Sequence, residues 1–121
     1  MSNTENAVKN KSFDFAVRIV NLSRYLAEDK KEFILSKQIM RSGTSIGANV
    51  AEAGGGISKA EFSHRISIAY KEAKETQYWL KLLSETKLID KKSYDSISVD
   101  CDELCKLLFS ILKTTKRVRK L

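Results

Sequence analysis

All five glycines of the chain fall between Arg41 and Phe62, in RSGTSIGANVAEAGGGISKAEF. Glycine mixed with Ser, Thr and Lys is the material of a phosphate loop, where backbone N–H groups surround an anion. The residue order excludes that chemistry. A phosphate loop needs G-x-x-x-x-G-K followed by Ser or Thr, and here Ile57 and Ser58 separate the last glycine from Lys59. No G-x-G-x-x-G follows a strand pattern. A helix start at Ser58 offers free N–H groups to an anion, but so does every helix start.

The other reactive side chains are equally spare. Cys101 and Cys105 stand four apart on one helical face, where disulfide geometry is difficult, and there is no third Cys. Buried, reduced thiols are expected. His64 is the only histidine and precedes Arg65 without a recognisable partner, so a surface position is expected and a metal site lacks ligands. Glu72 and Glu75 share a helix face, where salt bridges account for them. No constellation of acid, base and nucleophile is visible. The expectation is a protein that is not an enzyme and uses no cofactor or metal.

Charge is the stronger signal. The net charge is +7, and KTTKRVRK, Lys113 to Lys120, holds five cations and no acid. Without that segment the balance is +2. Lys113, Lys116, Arg117, Arg119 and Lys120 are therefore candidate phosphate contacts, with Lys9, Lys11 and Arg18 assisting; the same cations also suit the negative end of a helix dipole. No aromatic-rich reading surface stands out, so binding largely independent of base sequence is expected.

These residues must be carried by helices. Proline is absent, and 42% of the 121 residues are hydrophobic, which suits one domain with a real core. Val8, Phe15, Ile19, Leu22 and Leu26 make one apolar stripe, whose helix starts somewhere between Thr4 and Ser12. AEDKKE, Ala27 to Glu32, reads as a connection, with Asp29 and Glu32 resembling a capping box for the next helix. Ile39, Gly43, Ile46, Val50 and Ala53 recur at four, three, four and three residues. Gln38, Ser42, Ser45, Asn49 and Glu52 keep the same rhythm one position earlier. Two parallel stripes are what 3.6 residues per turn produces. Gly43 and Gly47 each cost such a helix about 1 kcal/mol relative to Ala. Close approach of a neighbouring helix would offset that.

The three glycines from Gly54 to Gly56 are expected to close this helix in a left-handed turn. Ser58-Lys59-Ala60-Glu61 is a capping box for a third helix to about Glu85. Its main stripe is Phe62, Ile66, Ala69, Ala73, Leu80 and Leu83, with Ile68, Glu72, Glu75, Trp79 and Leu82 beside it. Asp90 caps a fourth helix bearing Ile97, Cys101, Leu104, Leu108, Ile111 and Leu112. Short connections make this an all-α, antiparallel up-down-up-down four-helix bundle. The polar stripe of the second helix is mostly uncharged, so it is assigned to a helix–helix contact. Gly43, Ser45, Gly47, Asn49 and Glu52 are its candidate contact residues, with Asn49 and Glu52 bonding helix three or another subunit.

SKQIMRSGTSIGANVAEA and SKAEFSHRISIAYKEAKETQYWLKLL, with FDFAVRIVNLSRYL before them, resemble the 23S ribosomal RNA intervening-sequence proteins. Gln38, Arg41, Ser45, Ile46, Asn49, Ala51 and Glu52 fall in order, and the fourth helix matches only in general character. The resemblance also extends to the accessory variability determinant of diversity-generating retroelements. It implies a homo-oligomer, a ring of five subunits, whose basic surfaces hold RNA or DNA. In the retroelement branch it implies a reverse transcriptase as partner. An adaptor that docks such an enzyme through Tyr25, Tyr78 or Trp79 is the alternative. No membrane span and no signal-peptide core is present in the pattern, so a cytoplasmic protein is expected.

Overall fold

A computed structural model describes residues 3–55 and 58–120, the last five of these as backbone only. Four helices follow one another: α1 (Asn3–Glu28), α2 (Ile34–Ala53), α3 (Lys59–Glu85) and α4 (Lys91–Lys120). Each packs against its two neighbours in a ring, and the diagonal pairs do not approach among the described residues. The partners run in opposite directions along every seam. Ser12 and Ile19 of α1 meet Gly47 and Gly43 of α2. Ser42 and Asn49 of α2 meet Thr76 and Arg65 of α3. Tyr70 of α3 lies level with Phe109 of α4, and Gln77 with Asp102. Lys11 and Arg18 of α1 meet Glu103 and Asp100 of α4. As the number rises on one helix, it falls on the next. The bundle is antiparallel, up-down-up-down.

The apolar stripes make the core. Phe15, Ile19 and Leu26, Ile39 and Ile46, Ile66, Leu80 and Leu83, and Leu104 and Leu108 are at most 2% exposed. Each such side chain stabilises the fold by roughly 1.5–3 kcal/mol relative to exposure. Ser12 and Ser23 complete the buried stripe of α1, where Ser23 Oγ donates to the Ser36 carbonyl at 2.9 Å. The α1–α4 seam has the sparsest backbone approach and relies most on side chains.

Two expected helix ends differ. Glu32, not Asp29, caps α2: its carboxylate accepts from the Ile34 and Leu35 N–H groups at 2.8 and 2.6 Å. The chain needs residues 29–33 to reverse direction, so helix begins only at Ile34. Gly54 closes α2 with φ −78°, outside the left-handed region; Gly56 lies outside the described residues. The left-handed positions belong instead to Lys31 (φ 56°) and Lys87 (φ 62°). At Lys87 the geometry is a Schellman closure, with Leu88 N–H donating to the Leu83 carbonyl and Lys87 N–H to that of Ser84. The caps expected at Ser58 and Asp90 are present, accepting from Glu61 N–H at 3.2 Å and Ser93 N–H at 2.7 Å. The Ser93 hydrogen bond also holds the Asp90 carboxyl below its ordinary pKa. No described helix is long and apolar enough to cross a membrane.

Candidate nucleic-acid interface

Which surface could bind an anion depends on which cations are already taken. On the α2–α3 seam they are. Arg65 reaches Glu52 at 2.9 Å and donates to Asn49 Oδ1 at 3.4 Å. Arg41 bonds Glu72 at 2.9 Å and also Glu75. Burial works against the Arg41 charge, but the two carboxylates outweigh it and raise its pKa. The polar stripe of α2 is therefore a contact with α3 at Ser42, Asn49 and Glu52. Ser42 is fully buried and hydrogen-bonded to Thr76 at 3.0 Å. Ser45 turns back on its own helix, donating to the Arg41 carbonyl at 2.6 Å, and Gln38 is exposed. Gly43 and Gly47 lie one stripe over, against α1, where an added Cβ would meet Ile19 at 2.6 Å and the Ser12 carbonyl at 3.1 Å.

The α1–α4 seam uses its cations in the same way. Lys11 pairs with Glu103 at 3.1 Å, and Arg18 with Asp100 at 2.7 Å and the Ser96 hydroxyl at 3.0 Å. These side chains are about half exposed, so each pair contributes at most about 1 kcal/mol. Of the three assisting cations expected from sequence, Lys11 and Arg18 are committed inside the molecule; Lys9 is exposed.

The outer face of α3 and α4 is different. Lys71, Lys74 and Lys81 of α3 and Lys106 and Lys113 of α4 are all exposed, and none joins an ion pair among the described residues. At 100° per residue, Lys71, Lys74, Tyr78 and Lys81 fall within about 80° of arc on α3. Lys74 stands over the seam, near enough for its charge to act on the Cys101 and Cys105 thiols of α4. Tyr78 is 61% exposed and Phe109 54%. Asp102, the carboxylate in the seam, accepts from Gln77 Nε2 at 2.7 Å. The spacing K-x-x-K-x-x-x-Y-x-x-K was present in the sequence as a signal, but without the fold its lysines look no different from paired ones. Lys113 continues this face. The side chains of Lys116, Arg117, Arg119 and Lys120 lie outside the described residues, although α4 runs through Lys120.

Little else here suggests chemistry. Cys101 and Cys105 are buried and unbridged; a hydrogen bond with Cys105, and then burial, push the Cys101 thiol far up. His64 is exposed. No group of three or more His, Cys, Asp or Glu is gathered for a metal among the described residues. A cleft of about 740 Å³ at the far end of the bundle holds Lys30, Lys87 and Lys91 together with Glu85, Asp90 and Asp95, leaving no charge excess.

Four antiparallel helices with a small-residue face on α2 and a lysine face on α3 and α4 invite comparison with known proteins. The model of the 23S rRNA-intervening sequence protein family matches residues 4–110. The chain belongs to this family. The match takes in four of the five face lysines and stops short of Lys113 and the basic end. Among solved structures, this family member is similar to a Bacteroides thetaiotaomicron protein of unknown function from the S23 ribosomal protein family. The two are 55% identical with a TM-score of 0.89, over 91% of this chain and 98% of that one. No curated protein matches.

Proposed function

We propose that this protein is a non-enzymatic, cytoplasmic bundle that assembles with copies of itself and binds RNA or DNA, largely without reading sequence. The observation that carries this is the division of the cations. Arg18, Arg41, Arg65 and Lys11 are held by carboxylates, whereas Lys71, Lys74, Lys81, Lys106 and Lys113 are exposed and unpaired on one face. Unpaired lysines on a rigid face exchange counterions for phosphates, and that exchange is what makes such binding strong at low salt. The basic end, Lys113 to Lys120, extends the same helix. Self-assembly, in a ring of five, rests on the family resemblance; repeated copies of the face would act as one multivalent surface.

Binding of an unstructured RNA oligonucleotide, measured across a salt series, tests this. Five phosphate contacts predict a log–log salt slope of about −3.5 for a single strand. Reversing three charges, Lys71→Glu with Lys74→Glu and Lys81→Glu, is expected to reduce that slope by about 2. An affinity that ignores both salt and these substitutions overturns the reading. Removing residues 113–121 weakens binding without abolishing it if the helical face contributes.

The second reading is an adaptor that docks an enzyme such as a reverse transcriptase. Its support is the exposed apolar pair Phe13 and Val17 on α1, with Phe13 beside Gly47 and Ala51 of α2, and exposed Tyr25 and Tyr78; Trp79 is half-buried. Unchanged nucleic-acid binding after the triple charge reversal, with loss of a copurifying polymerase in Phe13→Ser, favours it.

A further inference from the structure

We propose that the α3–α4 face takes a single strand rather than a duplex, stacking bases on Tyr78 and Phe109 while the flanking lysines hold the phosphates. This rests on the nucleic-acid reading above. The two aromatics are placed alike. Tyr78 has Lys74 four residues before it and Lys81 three after. Phe109 has Lys106 three before it and Lys113 four after. Because α3 and α4 are antiparallel, these two patterns read the same way along the bundle axis. Each exposed ring has a cation one turn above it and one turn below.

The rings are also held in place. Tyr78 meets Trp79 edge to face at 5.1 Å between centroids. Trp79 Nε1 donates to Glu75 Oε2 at 3.0 Å, and Glu75 is bound by Arg41 of α2. Phe109 leans on Tyr70 at 5.9 Å. A ring fixed on one side and open on the other is a stacking platform already organised for a base. Phe109 is level with Tyr70, eight residues from Tyr78, so the platforms lie about 12 Å apart along the axis. A duplex covers its base faces with neighbouring bases. It would use the lysines and leave both rings idle. A single strand uses both groups.

The full-length protein is titrated with a labelled unstructured RNA oligonucleotide and, separately, with an RNA hairpin duplex carrying the same number of phosphates. The single strand is expected to bind at least about tenfold tighter, as stacking adds to phosphate contacts. Tyr78→Ala and Phe109→Ala should each weaken single-strand binding about 5- to 150-fold and leave duplex binding unchanged. Tyr78→Phe should retain it. Trp79, the only tryptophan, should change fluorescence on binding the single strand and not on binding the duplex. Equal binding of both probes, with no effect of either alanine variant, overturns the inference while salt-dependent binding survives. Loss of nothing in Lys74→Glu with Lys81→Glu overturns the underlying reading instead. Circular dichroism on every variant separates these losses from unfolding.

Discussion

Gly43→Ala tests the close approach of α1 and α2 that the small-residue stripe requires. A Cβ there would lie 2.6 Å from Ile19 Cγ1 and 2.7 Å from Cγ2. Ile19 is fully buried, and a β-branched side chain on a helix has one favoured rotamer, so it has nowhere to swing. Overpacking of this kind costs about 1–3 kcal/mol, against the roughly 1 kcal/mol that Ala gains over Gly in a helix. The net expectation is a destabilisation of about 0–2 kcal/mol, or up to roughly 8 °C in Tm for a chain of this size. The sharper test is the same substitution in an Ile19→Ala background. That change removes both γ carbons and leaves a cavity, at about 2–5 kcal/mol by itself. With the clash gone, Gly43→Ala should then stabilise by about 1 kcal/mol. Urea unfolding followed by circular dichroism at fixed protein concentration gives all four corners of the cycle. If Gly43→Ala is equally stabilising in both backgrounds, the helices do not meet at this point and the packing argument is wrong.

Other consequences follow from single contacts. Thr76→Val should cost about 1–3 kcal/mol, because it leaves the buried Ser42 hydroxyl without its partner; adding Ser42→Ala should recover most of this in a denaturant titration. Asp90→Ala should destabilise at neutral pH. The Asp90 pKa is lowered in the fold, so its contribution is present above the ordinary carboxylate value and is lost as pH falls through the depressed one. Melting curves of wild type and variant should therefore converge in strong acid. Neither cysteine should react with an alkylating reagent at neutral pH until the protein unfolds, since both thiols are buried in the core and a reagent cannot reach them in the packed bundle. Labelling at the rate of a free thiol in the folded protein would contradict the packing of α4 on α3.

Much of the architecture can be read from one dimension because helices bury periodic stripes. The apolar stripe of α1, the double rhythm of α2, the Ser58 cap and the Asp90 cap all come from spacing within a few turns, where geometry is local. The turns were less legible. Lys31 and Lys87 take left-handed conformations that intrinsic preference reserves for glycine, while Gly54 does not. There the pull of packed helices on both sides sets the backbone, and a local rule has no access to it.

For the candidate site, the residue types and charges were fixed by the amino-acid sequence alone: the five-cation end, the lysines of α3, the aromatics at helical spacing. Their standing was decided by tertiary structure. Lys11 and Arg18 look as available as Lys74 and Lys81 until α4 brings Glu103 and Asp100 against the first pair and leaves the second facing water. Whether a cation is spent or free depends on the partner placed across a seam 82 to 92 residues away in the chain. That distance collapses only on folding, and no periodicity along the chain encodes it.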